Sequence, residues 1–434
     1  MQPAARLAAA IEVLEIFAAR RAPVDRLLKE WSRRSRFAGA RDRAAVSERV
    51  FAILRRRAEC AFAMGGADDA RSLVLGSLKA LDGLCGEGIE TLLAGGGYGP
   101  DALTEDEKAA LDMERGAPPE AARLNCPGWI VEQLRDGLGE ELEPELQALN
   151  GRAPVDFRVN TLARSRAILQ TELGEEGVDL QATPHCIRGL RAPAPQPGEK
   201  PVNIKATKAY QNGHIEIQDV GSQIVSLLAK PAPGEQVVDL CAGGGGKTLS
   251  LAAEMKNTGQ IYACDLDRRR LAAVRPRLDR AHVRNAQVRQ LDRWRGGQED
   301  RALGDLERRV DLVFVDAPCS GSGAWRRHPD AKWRLTPELL EGYREAQTNA
   351  LARGARLIKG DGRMAYVTCS LLPCENDEQI ESFLAEQRTF ETIPPNEALL
   401  EQAVNWRRTR FGVQLSPYRT DTDGFYFVAL RRRR

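Results

Sequence analysis

The sequence predicts an α/β protein built in three parts: an all-α segment, a small α+β module, and a doubly wound domain around a mostly parallel sheet. Three observations carry this. Between residues 4 and 57 apolar side chains recur at helical spacing with almost no proline or glycine. Beyond Gln211 short apolar runs alternate with helix-length stretches, as in strands joined by crossovers. The 434 residues, 42% hydrophobic and 29% charged, suit about two to three folded domains and exclude a disordered or fibrous chain.

The first part, residues 1–122, carries its apolar stripe on Leu7, Ile11, Leu14, Ile16 and Phe17, on Leu27, Leu28 and Trp31, and on Val46, Val50, Phe51 and Leu54, and the pattern resumes over 70–93. The glycine-rich stretch 95–100 and the acidic stretch ending near Pro118-Pro119 read as loop and linker, which sets a boundary near 122. The second part, 123–210, takes a helical segment over 127–149, a strand over 154–160 and a helix over 165–175. The third, 211–434, takes strands at 236–241, 260–264, 286–290, 311–315 and 363–367, with helices at 248–255, 268–281 and 337–357. Ligands of such a domain sit at the carboxyl ends of its strands. The arginine run 431–434 reads as a solvated tail.

A net charge of +2 argues for no particular partner. Its distribution does: residues 1–60 hold 14 Lys and Arg against seven acids, whereas residues 85–125 hold nine acids against three basic residues. An anionic partner touching the first segment fits that polarity. No apolar run of about 18 residues exists and the first ten residues lack the features of a signal peptide, so the reading is a cytoplasmic protein with no membrane partner. Nine cysteines at irregular spacing argue against a disulfide framework. With no CxxC pair, and with His185, His214, His282 and His328 scattered, no metal site is expected.

The first strand-to-helix turn of the third part reads Asp239-Leu240-Cys241-Ala242-Gly243-Gly244-Gly245-Gly246-Lys247-Thr248. Successive glycines let a ligand approach the backbone and the next helix presents free N–H groups, which points to a nucleotide-type cofactor. A P-loop is the rival reading, because Gly-Lys-Thr is present and 311–316 ends in an acid, but the glycine it requires five positions before Gly246 is Cys241. Asp265, about twenty residues on, is placed for ribose hydroxyls, and Asp292 for an adenine amine. Past the next strands lie Asp316-Ala317-Pro318-Cys319-Ser320 and Thr368-Cys369-Ser370, which bring two nucleophile candidates to the cofactor's rim. Cys60, Cys85, Cys126, Cys186, Cys241 and Cys264 read as small hydrophobes.

With these residues in view, the sequence resembles the Nop/Sun family of S-adenosylmethionine-dependent RNA cytosine-5 methyltransferases. The matching pieces are Asp239 to Ala242 with Gly245 to Thr248, Asp265, Asp292, Asp316 to Ser320, Arg326-Arg327-His328-Pro329-Asp330, Thr368-Cys369-Ser370 and Asp423-Gly424-Phe425-Tyr426. Arg158 to Thr161, Gln218-Asp219 and Ser222-Gln223 match as well, so the likeness covers about residues 125–434. The arginine-rich helical start is similar to the NusB-like RNA-binding domain that precedes this core in bacterial small-subunit ribosomal RNA enzymes of the Sun type. The family usually has Ala-Pro where this chain has Gly243-Gly244, and glycine where Leu291 precedes Asp292. Neither departure removes a chemical group, and both bear on cofactor affinity.

The resemblance implies a class I, Rossmann-like methyltransferase domain. It implies that S-adenosylmethionine is bound by Cys241, Ala242, Gly243, Gly244, Gly245, Gly246, Lys247, Asp265, Asp292 and Asp316. The implied catalytic set is Cys369, Cys319, Asp316 and Lys247: Cys369 adds to carbon 6 of cytosine, Asp316 hydrogen-bonds N3, Cys319 takes part in release and Lys247 lowers the thiol pKa. Arg326, Arg327 and His328 are candidates to hold the RNA backbone. The implied partner is 16S ribosomal RNA or a small-subunit precursor, with no DNA partner and a monomeric enzyme. A transfer-RNA cytosine-5 methyltransferase and a catalytically idle RNA-binding or assembly factor are the alternatives, the latter opposed by the intact cysteines, acids and lysine.

Overall fold

The computed structural model describes residues 1–94, 97–195, 199, 202–293, 300–395 and 405–433. Helices come first: α1 (Pro3–Arg20), α2 (Val24–Arg34), α3 (Ala40–Arg55), α4 (Arg57–Ala63), α5 (Ala70–Ala80), α6 (Gly86–Leu93), α7 (Glu105–Asp112), α8 (Glu120–Leu124), α9 (Gly128–Leu138) and α10 (Leu142–Leu149). Then follow β1 (Val155–Val159), α11 (Arg166–Glu175), β2 (Gln181–Ala182), β3 (Gly189–Ala192), α12 (Lys208–Gln211), β4 (Ile215–Ile217) and α13 (Val220–Leu228). The remainder alternates: β5 (Gln236–Asp239), α14 (Gly246–Glu254), β6 (Gln260–Asp265), α15 (Arg268–Leu271), α16 (Val274–Arg280), β7 (Ala286–Gln290), β8 (Val310–Asp316), α17 (Ala331–Arg334), α18 (Pro337–Leu357), β9 (Ile358–Thr368), α19 (Asp377–Glu386), β10 (Phe390–Ile393), β11 (Arg407–Arg408), β12 (Val413–Leu415) and β13 (Phe425–Arg432).

Residues 1–152 and 325–335 form one compact unit. Its helices carry clear end signals: Pro3 opens α1, Asp69 accepts from the Ser72 amide at 3.0 Å, and Thr104 and Glu107 form a reciprocal capping box. Leu7, Leu14, Phe17, Leu27, Leu28, Trp31, Val46, Val50 and Leu54 from the predicted stripes make one core. The unit runs past the boundary read near 122. The Glu59 amide donates to Asn125 Oδ1 at 3.1 Å, Asn150 Nδ2 to the Leu124 carbonyl at 3.0 Å and Arg55 Nε to the Gly151 carbonyl at 3.3 Å. Such polar links leave no periodic mark in a sequence. Gly95 and Gly96 of the predicted loop lie outside the described residues.

The segment 325–335 holds the family-like Arg326-Arg327-His328-Pro329-Asp330, and it is largely interior to this unit. Trp333 Nε1 donates to the Leu54 carbonyl at 2.7 Å, the Val24 amide to Asp330 Oδ2 at 3.3 Å, and Arg55 Nη2 to the Arg326 carbonyl at 3.0 Å. Arg326 is only 3% exposed and is therefore not a surface charge, whereas His328 is exposed. Lys332 is buried, its Nζ donating to the Arg55 carbonyl at 3.1 Å and to Asn150 Oδ1 at 2.5 Å, and burial pushes its pKa down to about 7.

The second unit comprises 153–195, 200–324 and 336–434, and holds two sheets. The smaller is antiparallel, in the order β2-β3-β1-β4, and buries Phe157, Val159, Leu190 and Ile215 with Leu169 and Leu173 of α11. Its last strand, β4, lies beyond residue 210, where the sequence reading ends that module, because three residues are too few to show an alternation.

The larger sheet has the order β11-β12-β13-β9-β8-β5-β6-β7, with β10 also paired to β13. β7, β6, β5, β8 and β9 are parallel, at the positions the apolar runs predict. Val237, Val238, Leu312, Val313 and Phe314 are all fully buried, as strands covered on both faces require. The predicted helix over 268–281 divides into α15 and α16. Pro276 has no amide hydrogen and its ring crowds the carbonyl four residues back, at Ala272, where the break falls. The run read as a tail is also corrected: Arg431 and Arg432 belong to β13, with Arg431 Nε donating to Glu391 at 2.8 Å. Arg434 lies outside the described residues. Among the described residues no helix is long and apolar enough to cross a membrane.

Candidate active site

β5 ends at Asp239, opposite Ala263 and Phe314, and β6 and β8 run two residues further, to Asp265 and to Asp316, which lies opposite Val367 of β9. The chain leaves β5 through a turn in which Gly243 and Gly245 have φ of 54° and 83°, a conformation only glycine adopts without strain. The Ala242 amide donates to the Cys264 carbonyl at 2.7 Å and the Gly243 amide to Asp265 Oδ2 at 2.8 Å. The other Asp265 oxygen accepts from the Asp267 amide at 2.7 Å, and each oxygen retains a lone pair for a hydroxyl. Leu291 donates its amide to the Asp265 carbonyl at 2.9 Å, which brings the exposed Asp292 to the same edge. These donors and acceptors suit a ribonucleoside carrying a charged amino-acid tail.

Two arginines flank this turn, and the sequence reading missed both. A Cβ at position 243 would lie 2.5 Å from Nη2 of Arg270, and Arg277 Nη1 donates to the Gly244 carbonyl at 2.6 Å. Beneath the turn Asp239 is fully buried. Its Oδ2 accepts from Thr248 Oγ1 at 2.6 Å and its Oδ1 has no partner. Burial pushes the Asp239 pKa up to about 7; the Thr248 hydrogen bond opposes that rise and the Asp316 carboxylate adds to it.

Cys319 follows β8 and Cys369 follows β9, and their sulfurs are 3.4 Å apart. Lys247 Nζ donates to Asp316 Oδ2 at 2.7 Å and lies 5.1 Å from the centre of the Phe425 ring. Burial opposes the Lys247 charge, but the Asp316 carboxylate outweighs it, and the lysine pKa is held above its ordinary value. The Cys319 thiol is pushed well up, first by its hydrogen bond to Cys369 and then by burial.

Both cysteine loops meet at Glu375, which the sequence reading also missed. Its carboxylate is completely buried and accepts from the Ser320 amide at 2.8 Å, Ser320 Oγ at 2.5 Å, the Ser370 hydroxyl and Gln347 Nε2 at 3.0 Å. The available signal was a serine directly after each cysteine. Nearby, the Gly424 amide donates to the Gly323 carbonyl at 2.8 Å, and a Cβ on either glycine would run into the other's backbone. The matched Asp423-Gly424 piece therefore closes against the Cys319 loop.

The model of the 16S rRNA methyltransferase RsmB/F family matches residues 226–431, and that of the RsmF/B-like ferredoxin-like domain matches residues 126–197. The ribosomal RNA small subunit methyltransferase B of Vibrio cholerae is 30% identical over 317 residues, covering 72% of this chain and 67% of that protein. Its counterpart in Escherichia coli is 31% identical over 316 residues, covering 71% and 67%. Among solved structures, PH0851 superposes with a TM-score of 0.75 at 23% identity over 100% of this chain and 99% of that one, a likeness of fold. A methyltransferase homolog protein from Pyrococcus horikoshii gives a TM-score of 0.57 at 27% identity over 72% and 97%. The cofactor is S-adenosylmethionine, and the glycine turn with Asp265 suits its ribose and amino-acid ends. By sequence and by fold, the chain belongs to the 16S rRNA methyltransferase RsmB/F family.

Proposed function

We propose that this chain methylates carbon 5 of a cytosine in 16S ribosomal RNA through a covalent adduct between Cys369 and carbon 6. The observation that best supports this is the pair of sulfurs 3.4 Å apart beside the Lys247–Asp316 ion pair. Bound S-adenosylmethionine supplies an electrophilic methyl group. Cys369 attacks carbon 6 as a thiolate, so a C–S bond forms and the ring's double-bond electrons move to carbon 5, which takes the methyl group. Asp316 hydrogen-bonds N3, passes to it the proton that the Cys369 thiol has given up as the adduct forms, and takes it back when the C–S bond breaks. A base then removes the carbon 5 proton, the 5,6 double bond re-forms, and the C–S bond breaks to return the thiolate to Cys369, with Cys319 taking part in this release. A helical target base must first be flipped out, at a cost of about a few kcal/mol.

The helical unit supports RNA binding through a subset of its arginines. Arg6, Arg20, Arg26, Arg34, Arg49, Arg56 and Arg57 are paired with acids of the same unit. Arg21, Lys29, Arg33, Arg36 and Arg41 are exposed with no carboxylate in ion-pair range among the described residues, and these are the proposed phosphate contacts. Denaturing gels with substrate RNA test the chemistry. Cys369→Ser should form no adduct, while Cys319→Ala should methylate and then remain attached to RNA. An adduct that accumulates in the Cys369 variant and is absent from the Cys319 variant overturns the assignment. Bisulfite sequencing of 16S ribosomal RNA from a deletion strain tests the substrate, and an unchanged methylation pattern removes it.

A further inference from the structure

Two consecutive glycines, Gly243 and Gly244, give the cofactor turn more backbone freedom than any other residue pair would. That turn is nonetheless gripped from outside. Arg277, on α16, donates through Nη1 to the Gly244 carbonyl at 2.6 Å and through Nη2 to Glu216 Oε2 at 3.0 Å. Glu216 belongs to β4 of the smaller sheet and is 2% exposed, and its other oxygen is bonded by Arg280. The joint between that sheet and α16 is tight. Asn160 Nδ2 donates to the Gly213 carbonyl at 2.9 Å and to the Ala281 carbonyl at 3.0 Å, and a Cβ on Gly213 would lie 1.9 Å from the Arg280 carbonyl oxygen. A guanidinium is a rigid planar fork, so fixing one prong on Glu216 fixes where the other prong points.

We propose that Arg277 is a positioning residue for the cofactor turn: hung on Glu216, it holds the Gly244 carbonyl and makes affinity for S-adenosylmethionine depend on the placement of the smaller sheet. The hydrogen bond supplies the order that the glycine pair lacks. Anything that shifts β4 changes the turn, so the two sheets of this unit are energetically linked through one side chain. The inference rests on the assignment of the turn to that cofactor.

Calorimetric titration of the full chain with S-adenosylhomocysteine tests it. Arg277→Met should bind about ten-fold more weakly, the effect of losing one charge-assisted hydrogen bond. Glu216→Gln should weaken binding several-fold, and should add nothing in the Arg277→Met background, because Glu216 acts through Arg277. Gly244→Ala gives the decisive arm. A Cβ there lies 3.4 Å from Arg277 Nη1 and has room once the guanidinium is gone. It should recover about two- to five-fold in the Arg277→Met background by restricting the backbone, a rescue that a general loss of fold stability would not show. Wild-type affinity in Arg277→Met, additive losses from the two single variants, or no recovery with Gly244→Ala each overturns the role of Arg277. A wild-type chain that binds no S-adenosylhomocysteine overturns the cofactor assignment and this inference together.

Discussion

Two ionisable side chains, Glu375 beside the cysteines and Lys332 in the helical unit, are buried at 0% and 2% exposure with no opposite charge in ion-pair range among the described residues. Glu375 accepts four hydrogen bonds, from the Ser320 amide and hydroxyl, the Ser370 hydroxyl and Gln347. Lys332 has two acceptors for three protons, the Arg55 carbonyl and Asn150 Oδ1. Burial lowers its pKa to about 7, and the like charge of Arg55 works in the same direction. The contrast teaches that a buried charge without a counter-ion is held by the number of dipoles aimed at it. Four donors meet the two oxygens of Glu375, whereas two acceptors meet the three protons of Lys332.

The largest effect is expected from Glu375→Ala, which removes the acceptor shared by the Ser320 amide, the Ser320 and Ser370 hydroxyls and Gln347. Urea unfolding should show a loss of about 3 kcal/mol or more, and Glu375→Gln should cost less, because its amide oxygen still accepts from the Ser320 amide and Gln347 while the Ser320 and Ser370 hydroxyls can turn to accept from its NH2. Wild-type stability in Glu375→Ala would break the comparison at once. Lys332 sharpens it through pH. Its native pKa of about 7 lies below lysine's usual 10.5, so the folded chain binds fewer protons than the unfolded chain between those values. Stability should therefore rise with pH through that window, by up to about 1.4 kcal/mol per pH unit. Lys332→Met should flatten the rise, and an identical slope in wild type and variant would show that Lys332 stays charged in its site.

Asp239 makes a third and milder case, with one donor on one oxygen. Its native pKa of about 7 lies above the usual 3.8, so the folded chain binds more protons between those values and stability falls as pH rises through them. Asp239→Asn should remove that fall, about 2 kcal/mol between pH 5 and 7, while keeping the Thr248 hydrogen bond. A variant that unfolds with the wild-type pH dependence would place the proton elsewhere.

Legibility in the sequence follows from how local each signal is. The five parallel strands announce themselves as apolar runs, and the glycine turn, Asp265 and both cysteines sit in strand-end positions that spacing alone assigns. β11 and β12, of two and three residues, carry no pattern to read. Glu375 is invisible because its partners come from positions 320, 347 and 370, three separate segments of chain. Arg326 misleads for the opposite reason: a run of basic residues looks like surface until the helices it packs against are known. Arg277 and Glu216 belong to elements that only the folded chain brings together.

β13 lies between β9 and β12, and Gly424 just before it holds the Cys319 loop through Gly323. Translation delivers residues in order, at about 5–20 per second. Cys319 and Cys369 are therefore synthesised seconds before the strand that pairs with the outer edge of β9. A nascent chain halted in that interval has its glycine turn, both thiols and the Glu375 carboxylate, yet β9 still shows a bare edge. The edge of β9 is thus covered only once Phe425–Arg432 has been made, so the larger sheet is completed by one of the last segments of the chain to be synthesised.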